Sequence, residues 1–277
     1  MRIGAKLPNF GPLVRDRGLA AMAAELEAAG YDSIWLSDHI VIPADPRSRY
    51  PFSASGKASS RTDTPWYDAI VCLAQLAAVT RRAELGIGVL VLPLREPVTL
   101  AKQLASIDVL SGGRVTLGVG AGWLAEEFEP VGVPFETRGR RMDEAIEVMR
   151  RIWTGAPDAF EGRHFGLPAG LGSLPRPEHD IPIVVGGMSA AALRRAAKAG
   201  DGWFAFQNAD AIDLDQLAKG AATLGGGRLV LRVAGPAERV ASLVPGLRDA
   251  GVHDLVVDVD WSVPEGPKAL HDTLREG

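Results

Sequence analysis

One histidine directly follows an acidic residue at the end of an apolar run, and its position suits it for chemistry. His39 comes after Asp38, behind the run Ser33–Ser37. An imidazole with an ordinary pKa of about 6.5 can hydrogen-bond a cofactor or transfer a proton near neutral pH. The alternative is a loop histidine that bonds only to backbone. Because the residue follows a predicted strand, we favour a functional role for His39.

Glycine is concentrated where the third, fourth and fifth predicted strands end. The residues concerned are Gly88 beside Val89, the series Gly118, Gly120 and Gly122 around Ala121, and Gly186-Gly187-Met188-Ser189. Glycine lets a ligand approach the backbone closely and tolerates positive φ. The dinucleotide-binding pattern G-x-G-x-x-G is not met, because Trp123 takes the place of its third glycine. The segment that ends in Ser189 precedes a predicted helix whose free N–H groups would suit a phosphate, although it could be an ordinary turn.

No familiar metal or nucleophile motif occurs in the sequence. It has no H-E-x-x-H, no cysteine cluster, no G-x-S-x-G and no P-loop. The other histidines lie in a long connection, before the last strand and in the final helix: His164, His179, His253 and His271. Cys72 lies within an apolar helix and is expected to be buried. We therefore predict that the protein holds no metal.

Composition excludes several classes of protein. The 277 residues are 47% hydrophobic and 23% charged, which is enough to build a large core without disulfides. The net charge of -4 lacks the basic excess of a general nucleic-acid binder. A single cysteine rules out an internal disulfide and fits a reducing cytoplasm. No apolar run approaches the roughly 20 residues that a membrane span needs.

Short β-branched runs alternate with longer amphipathic runs, which predicts eight βα units. The strands are expected at Ile3–Leu7, Ser33–Ser37, Glu84–Leu92, Val115–Val119, Ile183–Val185, Trp203–Phe206, Leu229–Val233 and Leu255–Val259. We predict a single (β/α)8 TIM barrel over residues 1–277, with a doubly wound open sheet as the alternative. In such a barrel the carboxyl ends of the strands share one rim, which would bring His39 and the glycine-rich turns together.

The helices between these strands are predicted from their apolar periodicity. They are expected at Arg15–Ala29, Asp68–Thr80, from Pro97 onward, at Gly139–Trp153, Ala190–Ala199, Ala211–Leu224 and Pro236–Asp249, with a short final helix. Two long connections, Pro43–Pro65 and Phe160–Ile181, are interpreted as insertions after strands two and four that surround the site. The alternative for both is mobile surface without a role.

A basic cluster begins the helix after strand four. Arg138, Arg140 and Arg141 could meet a phosphate or acidic side chains. The alternative is a solvated face in which these arginines pair with the acidic residues of the same helix, Asp143, Glu144 and Glu147.

Several segments, in order along nearly the whole chain, resemble those of a known superfamily. They are Tyr31–His39, Leu85–Pro93, Arg95–Val98, Leu110–Trp123, Glu126–Phe128, Gly132–Phe135, Arg138–Arg141 and Ile181–Gly187. With them the chain resembles the bacterial-luciferase-like flavin and deazaflavin oxidoreductases, above all the short members that use the deazaflavin coenzyme F420.

The resemblance implies a TIM barrel, a homodimer and a cofactor bound at the carboxyl-terminal rim. It implies that His39 contacts the reactive edge of the cofactor or substrate, that Asp38 lines the site, and that a cis peptide bond joins Gly88 and Val89 behind the ring. The ribityl chain and phosphate would lie against two segments, Gly120-Ala121-Gly122 and Gly186-Gly187-Met188.

The sequence departs from the relatives that oxidise a sugar phosphate. Those relatives have a tryptophan four residues after the histidine and a glutamate in the strand-four loop, where this chain has Pro43 and Trp123. Trp123 and Trp66, with Tyr67, could instead form the wall of a pocket for an organic molecule.

The expected function is therefore hydride transfer between coenzyme F420 and a small organic substrate. One alternative is an FMN-dependent monooxygenase that receives reduced flavin from a separate reductase and uses oxygen. Another is a flavin-binding protein without catalysis. The sequence leaves the substrate open.

Overall fold

Eight parallel strands close on themselves to form the centre of the protein. The computed structural model describes residues 1–53, 55–58, 61–263 and 265–276. The strands of the described chain are β1 (Arg2–Lys6), β2 (Ser33–Leu36), β3 (Glu84–Val91), β4 (Val115–Gly120), the hairpin strands β5 (Phe160–Glu161) and β6 (Gly166–Leu167), β7 (Ile183–Gly186), β8 (Gly202–Asn208), β9 (Arg228–Ala234) and β10 (Asp254–Asp258). The order around the barrel is β1-β10-β9-β8-β7-β4-β3-β2. β1 pairs with both β10 and β2, so the sheet is closed and the predicted TIM barrel is confirmed over the open-sheet alternative.

Helices pack around the outside of this barrel. In the described part of the chain they are α1 (Pro12–Arg17), α2 (Leu19–Ala28), α3 (Ala69–Val79), α4 (Pro97–Ser111), α5 (Arg138–Trp153), α6 (Ala190–Ala199), α7 (Leu214–Thr223), α8 (Ala237–Asp249) and α9 (Gly266–Glu276). The single helix predicted over Arg15–Ala29 is wrong: Gly18 has a φ of 80° and separates α1 from α2. No helix among the described ranges combines the length and the apolar character that crossing a membrane would take.

The inside of the barrel is filled by large side chains that require glycine beside them. A buried cluster of Trp35, Val184, Phe204, Val230 and Val256 occupies the interior. A Cβ at Gly86 would stand 2.3 Å from the Trp35 ring. The strands are buried on both faces, which explains their continuous apolar sequences.

The long connection after β2 reaches the carboxyl-terminal rim. Its Tyr50, Pro51 and Phe52 line the cleft there, as expected of an insertion around a site. Glu126 anchors this connection, because its Oε1 accepts the N–H groups of Arg47 and Ser48 at 2.6 and 3.1 Å. The predicted stretch Pro43–Pro65 also includes Ala54, Ser59 and Ser60, which lie outside the described residues.

The interpretation of Phe160–Ile181 as an insertion around the site is wrong. This segment follows α5 and leads into the amino-terminal end of β7, at the rim opposite the cleft. Its residues, all of them described, do not line the cleft. The hairpin β5–β6 in it is held by Glu144 of α5, which accepts the N–H groups of residues 163–165. The insertion after β4 is residues 121–137 instead.

Candidate active site

A cleft of about 610 Å³ opens at the carboxyl-terminal rim of the barrel. This volume is within the range of small-molecule sites. Its lining contains twelve residues that the sequence assigned to a site: Asp38, His39, Trp66, Gly88, Val89, Gly120, Ala121, Gly122, Trp123, Gly186, Gly187 and Met188. Tyr67, which was also expected in the pocket wall, is exposed and does not line the cleft. The structure therefore brings together residues that are up to 150 positions apart in the chain, from Asp38 to Met188.

His39 is held by a buried acid that the sequence analysis did not assign. Glu127 Oε2 lies 2.9 Å from His39 Nδ1, and its Oε1 accepts the N–H of Ile40 at 2.9 Å. The Glu127 side chain is only 2% exposed. Because a carboxylate without a proton only accepts hydrogen bonds, this contact would place the proton of a neutral imidazole on Nδ1 and leave Nε2 for a ligand in the cleft. The resemblance had included Glu126-Glu127-Phe128, and that was the available signal.

Asp38 supports the site without offering a free carboxylate. Its oxygens accept the Val91 N–H at 3.0 Å and an Arg95 N–H at 2.6 Å. Arg95 also binds Asp68, the N-cap of α3, at 2.7 Å. Burial raises the pKa of Asp38, while Arg95 acts to lower it. Asp38 thus fixes the end of β3 relative to α3.

The glycines at the ends of β4 and β7 make room for Val89. The Gly88–Val89 peptide bond is cis, as the resemblance implied. A Cβ at Gly120 or Gly186 would lie 2.6 Å from a Val89 methyl group. A Cβ at Gly118 would lie 2.3 Å from the Ile87 carbonyl oxygen and 3.3 Å from a Val89 methyl group. The β3–β4 register shifts between Ile87 and Leu90, where Val89 is inserted. Packing inside the protein therefore accounts for these three glycines, which we call the glycine arc.

Two turns beside the arc need glycine for conformational reasons. Gly122 has a φ of 86° and Gly187 a φ of 119°. Gly187 leads to the amino-terminal end of α6, where the Ser189 hydroxyl accepts the Ala192 N–H at 3.2 Å. A helix amino terminus attracts anions through its N–H groups and dipole.

Two arginines, Arg138 of α5 and Arg195 of α6, line the cleft. Arg138 contacts the carbonyls of Gly122 and Phe135, and its guanidinium lies 3.8 Å from the Phe135 ring centroid. The ion pairs of the described residues give Arg138 no carboxylate partner, whereas Arg195 is paired with Asp143. Burial lowers the pKa of Arg138.

The alternative was that the arginines of the Arg138–Arg141 cluster pair with the acidic residues of α5, but those acids bind other groups. Asp143 binds Arg195, Glu147 binds Arg151, and Glu144 binds the backbone of the β5–β6 hairpin. The acids of α5 are thus occupied by residues outside the Arg138–Arg141 cluster.

Aromatic rings form the remaining walls of the cleft. Phe10 stacks on Trp66 at 4.4 Å between centroids, and Trp66 meets His39 edge to face at 4.8 Å. Tyr50 packs against Trp123 at 5.1 Å. The Trp66 indole N–H is buried, and no residue that the structure describes accepts a hydrogen bond from it. These walls suit a ligand with a large apolar surface.

Comparison with known proteins identifies the family. The sequence profile described as luciferase-like monooxygenase matches residues 11–234. The chain belongs to this family. Among curated proteins, it is 42% identical over 196 residues to an uncharacterized protein of Mycobacterium tuberculosis, covering 71% of this chain and 67% of the relative. It is 30% identical over 203 residues to the F420-dependent glucose-6-phosphate dehydrogenase of Amycolatopsis mediterranei, covering 72% of this chain and 55% of the relative.

Solved structures with low sequence identity share the fold. One is an F420-dependent secondary alcohol dehydrogenase in complex with an F420–acetone adduct, with a TM-score of 0.77 and 17% identity over 99% of this chain and 98% of the other. Another is the long-chain alkane monooxygenase LadA, with a TM-score of 0.76 and 14% identity over 100% and 90%. The barrel is common to both, and family membership supports an oxidoreductase.

The packing of Val89 can be tested by filling the glycine arc. We expect Gly186→Ala to lower the free energy of unfolding by about 1–3 kcal/mol, because the new methyl group overlaps Val89. Combined with Val89→Ala, it should cost less than the two single costs added together. Urea unfolding of the four proteins measures this coupling.

Gly172→Ala is the control, because nothing lies within 4 Å of a Cβ at that position. It should leave the free energy of unfolding nearly unchanged. Additive costs for Gly186→Ala and Val89→Ala would contradict the packing account.

Proposed function

We propose that the protein is an F420-dependent oxidoreductase that transfers a hydride between the deazaflavin and a small organic substrate bound in the cleft. The observation that carries the proposal is that a hydrogen-bonded His39–Glu127 pair and a cationic helix end line or adjoin one cleft of about 610 Å³. The F420-dependent relatives that match two thirds or more of this chain add support.

The residues of the cleft fit a phosphate-bearing tricyclic cofactor. Arg138 has no acidic partner among the described residues, and it lines the cleft along with the amino-terminal end of α6, so an anion there would be favoured by charge and by N–H groups. Under this proposal the ribityl chain and phosphate are held by Gly120, Ala121, Gly122, Gly186, Gly187 and Met188. Gly88 and Val89 would support the ring, and Asp38 would keep the end of β3 in place.

The protein supplies orientation, a proton and exclusion of water. When bound, the deazaflavin supplies or accepts the hydride. His39 Nε2 holds or moves the proton at the substrate oxygen, and Glu127 fixes the ring and its tautomer. Trp66 and Trp123 provide apolar walls that keep water from the reacting atoms.

A sugar phosphate is not the substrate that we propose. Pro43 and Trp123 stand where the relatives that oxidise one carry tryptophan and glutamate. Glu127 supplies an acid from a different position of the same loop, so the histidine keeps a carboxylate partner while Trp123 lines the cleft. The substrate is therefore proposed to be an organic molecule with a large apolar surface.

An FMN-dependent monooxygenase is the second candidate, because the family is described as luciferase-like monooxygenase. That enzyme would need a separate reductase and would consume oxygen with reduced FMN, whereas deazaflavin chemistry would not. A non-catalytic flavin-binding protein is the third. The homodimer and the cytoplasmic location stay predictions.

Arg138 provides a test of the phosphate site. We expect Arg138→Met to weaken F420 binding by about tenfold, because a charge-assisted contact is lost. The deazaflavin chromophore without its phosphate should bind equally well to both proteins. Fluorescence titration measures both affinities.

Arg140→Met is the matched control, since Arg140 is exposed on the same helix. It should bind F420 as the unaltered protein does. An equal loss of affinity for the two ligands in Arg138→Met, or no loss for either, would count against a phosphate at this place.

His39 and Glu127 provide a test of the proton-transfer pair. We expect His39→Ala to lower kcat by about 10²–10⁴-fold while F420 affinity stays nearly constant. We expect Glu127→Gln to lose the Nδ1-protonated tautomer of His39, which ¹⁵N NMR of the histidine ring reports without any substrate.

Glu126→Gln is the control for this pair, because Glu126 binds the backbone of residues 47 and 48. It should leave the tautomer unchanged. If turnover survives His39→Ala, the assigned role of the histidine is wrong. If the unaltered protein shows no turnover, the result favours the non-catalytic flavin-binding protein.

A further inference from the structure

Three consecutive strands bring charged side chains to one side of the cleft. β1 contributes Lys6, β10 contributes Asp258 and β9 contributes Arg232. Lys6 stands opposite Asp258 in the strand register. Lys6 and Arg232 both line the cleft.

Arg232 forms an ion pair with Asp258, the carboxylate of this cluster. Its Nε and Nη2 donate to the two oxygens of Asp258 at 3.1 and 2.8 Å. Lys6 is 9% exposed, and its side chain forms no hydrogen bond or ion pair with the described residues. Its ammonium group lies 4.6 Å from the centroid of the Phe10 ring. The cluster therefore has two cations for one anion, and the buried Lys6 lacks an ionic partner.

The electrostatic environment of Lys6 reflects this imbalance. Burial lowers the pKa of Lys6 to about 7, Arg232 lowers it as well, and Asp258 raises it. A fourth titratable group at this place is Tyr50, whose pKa is raised by burial and also responds to Arg232 and Asp258. An anion next to Lys6 would favour its protonated form.

This cluster is separate from the site proposed for the cofactor. The glycine arc and the amino-terminal end of α6 belong to the side formed by β3, β4 and β7, and β2 and β8 separate that side from β1, β10 and β9. Aromatic rings adjoin both cations: Phe10 is next to Lys6, and Phe206 lies 4.9 Å from the Arg232 guanidinium. A ligand whose charged group binds these cations could therefore place its apolar part against the two rings.

We propose that Lys6 and Arg232 form a carboxylate-binding subsite, and that the substrate is an organic acid whose apolar or aromatic body lies against the rings of the cleft. A monoanion matches the single excess positive charge, whereas a phosphate dianion would exceed it. Use of the bound acid as a substrate rests on the proposed function, but its binding does not need the cofactor.

The test compares an acid with its uncharged amide. We titrate the protein without cofactor at pH 6.5 with 4-phenylbutyrate and 4-phenylbutyramide, following tryptophan fluorescence, since Trp66 and Trp123 line the cleft. We expect the acid to bind about tenfold or more tightly than the amide, as a contact to a buried charge does. Lys6→Met should abolish this preference.

Lys219→Met is the matched control, because it removes the same charge from an exposed position on α7. It should keep the preference for the acid. Equal affinities for acid and amide in the unaltered protein, or a preference that survives Lys6→Met, would overturn the proposal.

A pH series on the unaltered protein tests the proposal without any variant. The preference for the acid should fall by up to about tenfold per pH unit above pH 7, because free Lys6 loses its proton there. Lys6→Arg should keep the preference over the same range, since guanidinium stays charged. A preference that is constant from pH 7 to 9 in the unaltered protein overturns the proposal. None of these titrations contains F420, so their outcome is independent of whether the protein binds F420.

Discussion

Closure of eight parallel strands into a barrel makes all of their carboxyl ends face one cleft, and the chemistry of the protein depends on that constraint. His39 follows β2, the glycine arc spans β4 and β7, and Lys6 ends β1. His39, Lys6 and the glycine arc lie far from one another along the chain. A closed barrel gives them one common space with apolar walls, where charges and hydrogen bonds act more strongly than in water.

Within that space, the side chains depend on supports that lie just behind them. Glu127 orients His39, and Asp38 with Arg95 holds the end of β3, where Val89 fits among residues without a Cβ. The glycines of the arc are therefore explained by packing, although the same absence of side chains leaves the rim open. A side chain introduced at one of these glycines would displace Val89 whether or not a ligand is bound.

The sequence predicted the barrel and twelve of the residues that line the cleft, most of them because strand ends can be located from apolar runs and the barrel brings those ends to one rim. It missed Glu127, since the loop after β4 brings that acid to His39 from 88 positions away, a contact that spacing alone does not reveal. It misplaced Phe160–Ile181, because a connection that follows a helix belongs to the other rim. Lys6 was missed because nothing in a short apolar strand distinguishes a lysine inside the barrel mouth from one outside it.

The cleft is rich in cations although the chain carries a net charge of -4. Within the described part of the chain, neither Arg138 nor Lys6 forms an ion pair with a carboxylate, and the two belong to different sides of the barrel, which suits two anionic ligands held at once. The most direct measurement is an equilibrium titration of the unaltered protein with F420 and, separately, with FMN, read by fluorescence. The account predicts micromolar or tighter binding of F420 and weaker binding of FMN. Binding of neither compound at micromolar concentration would contradict it.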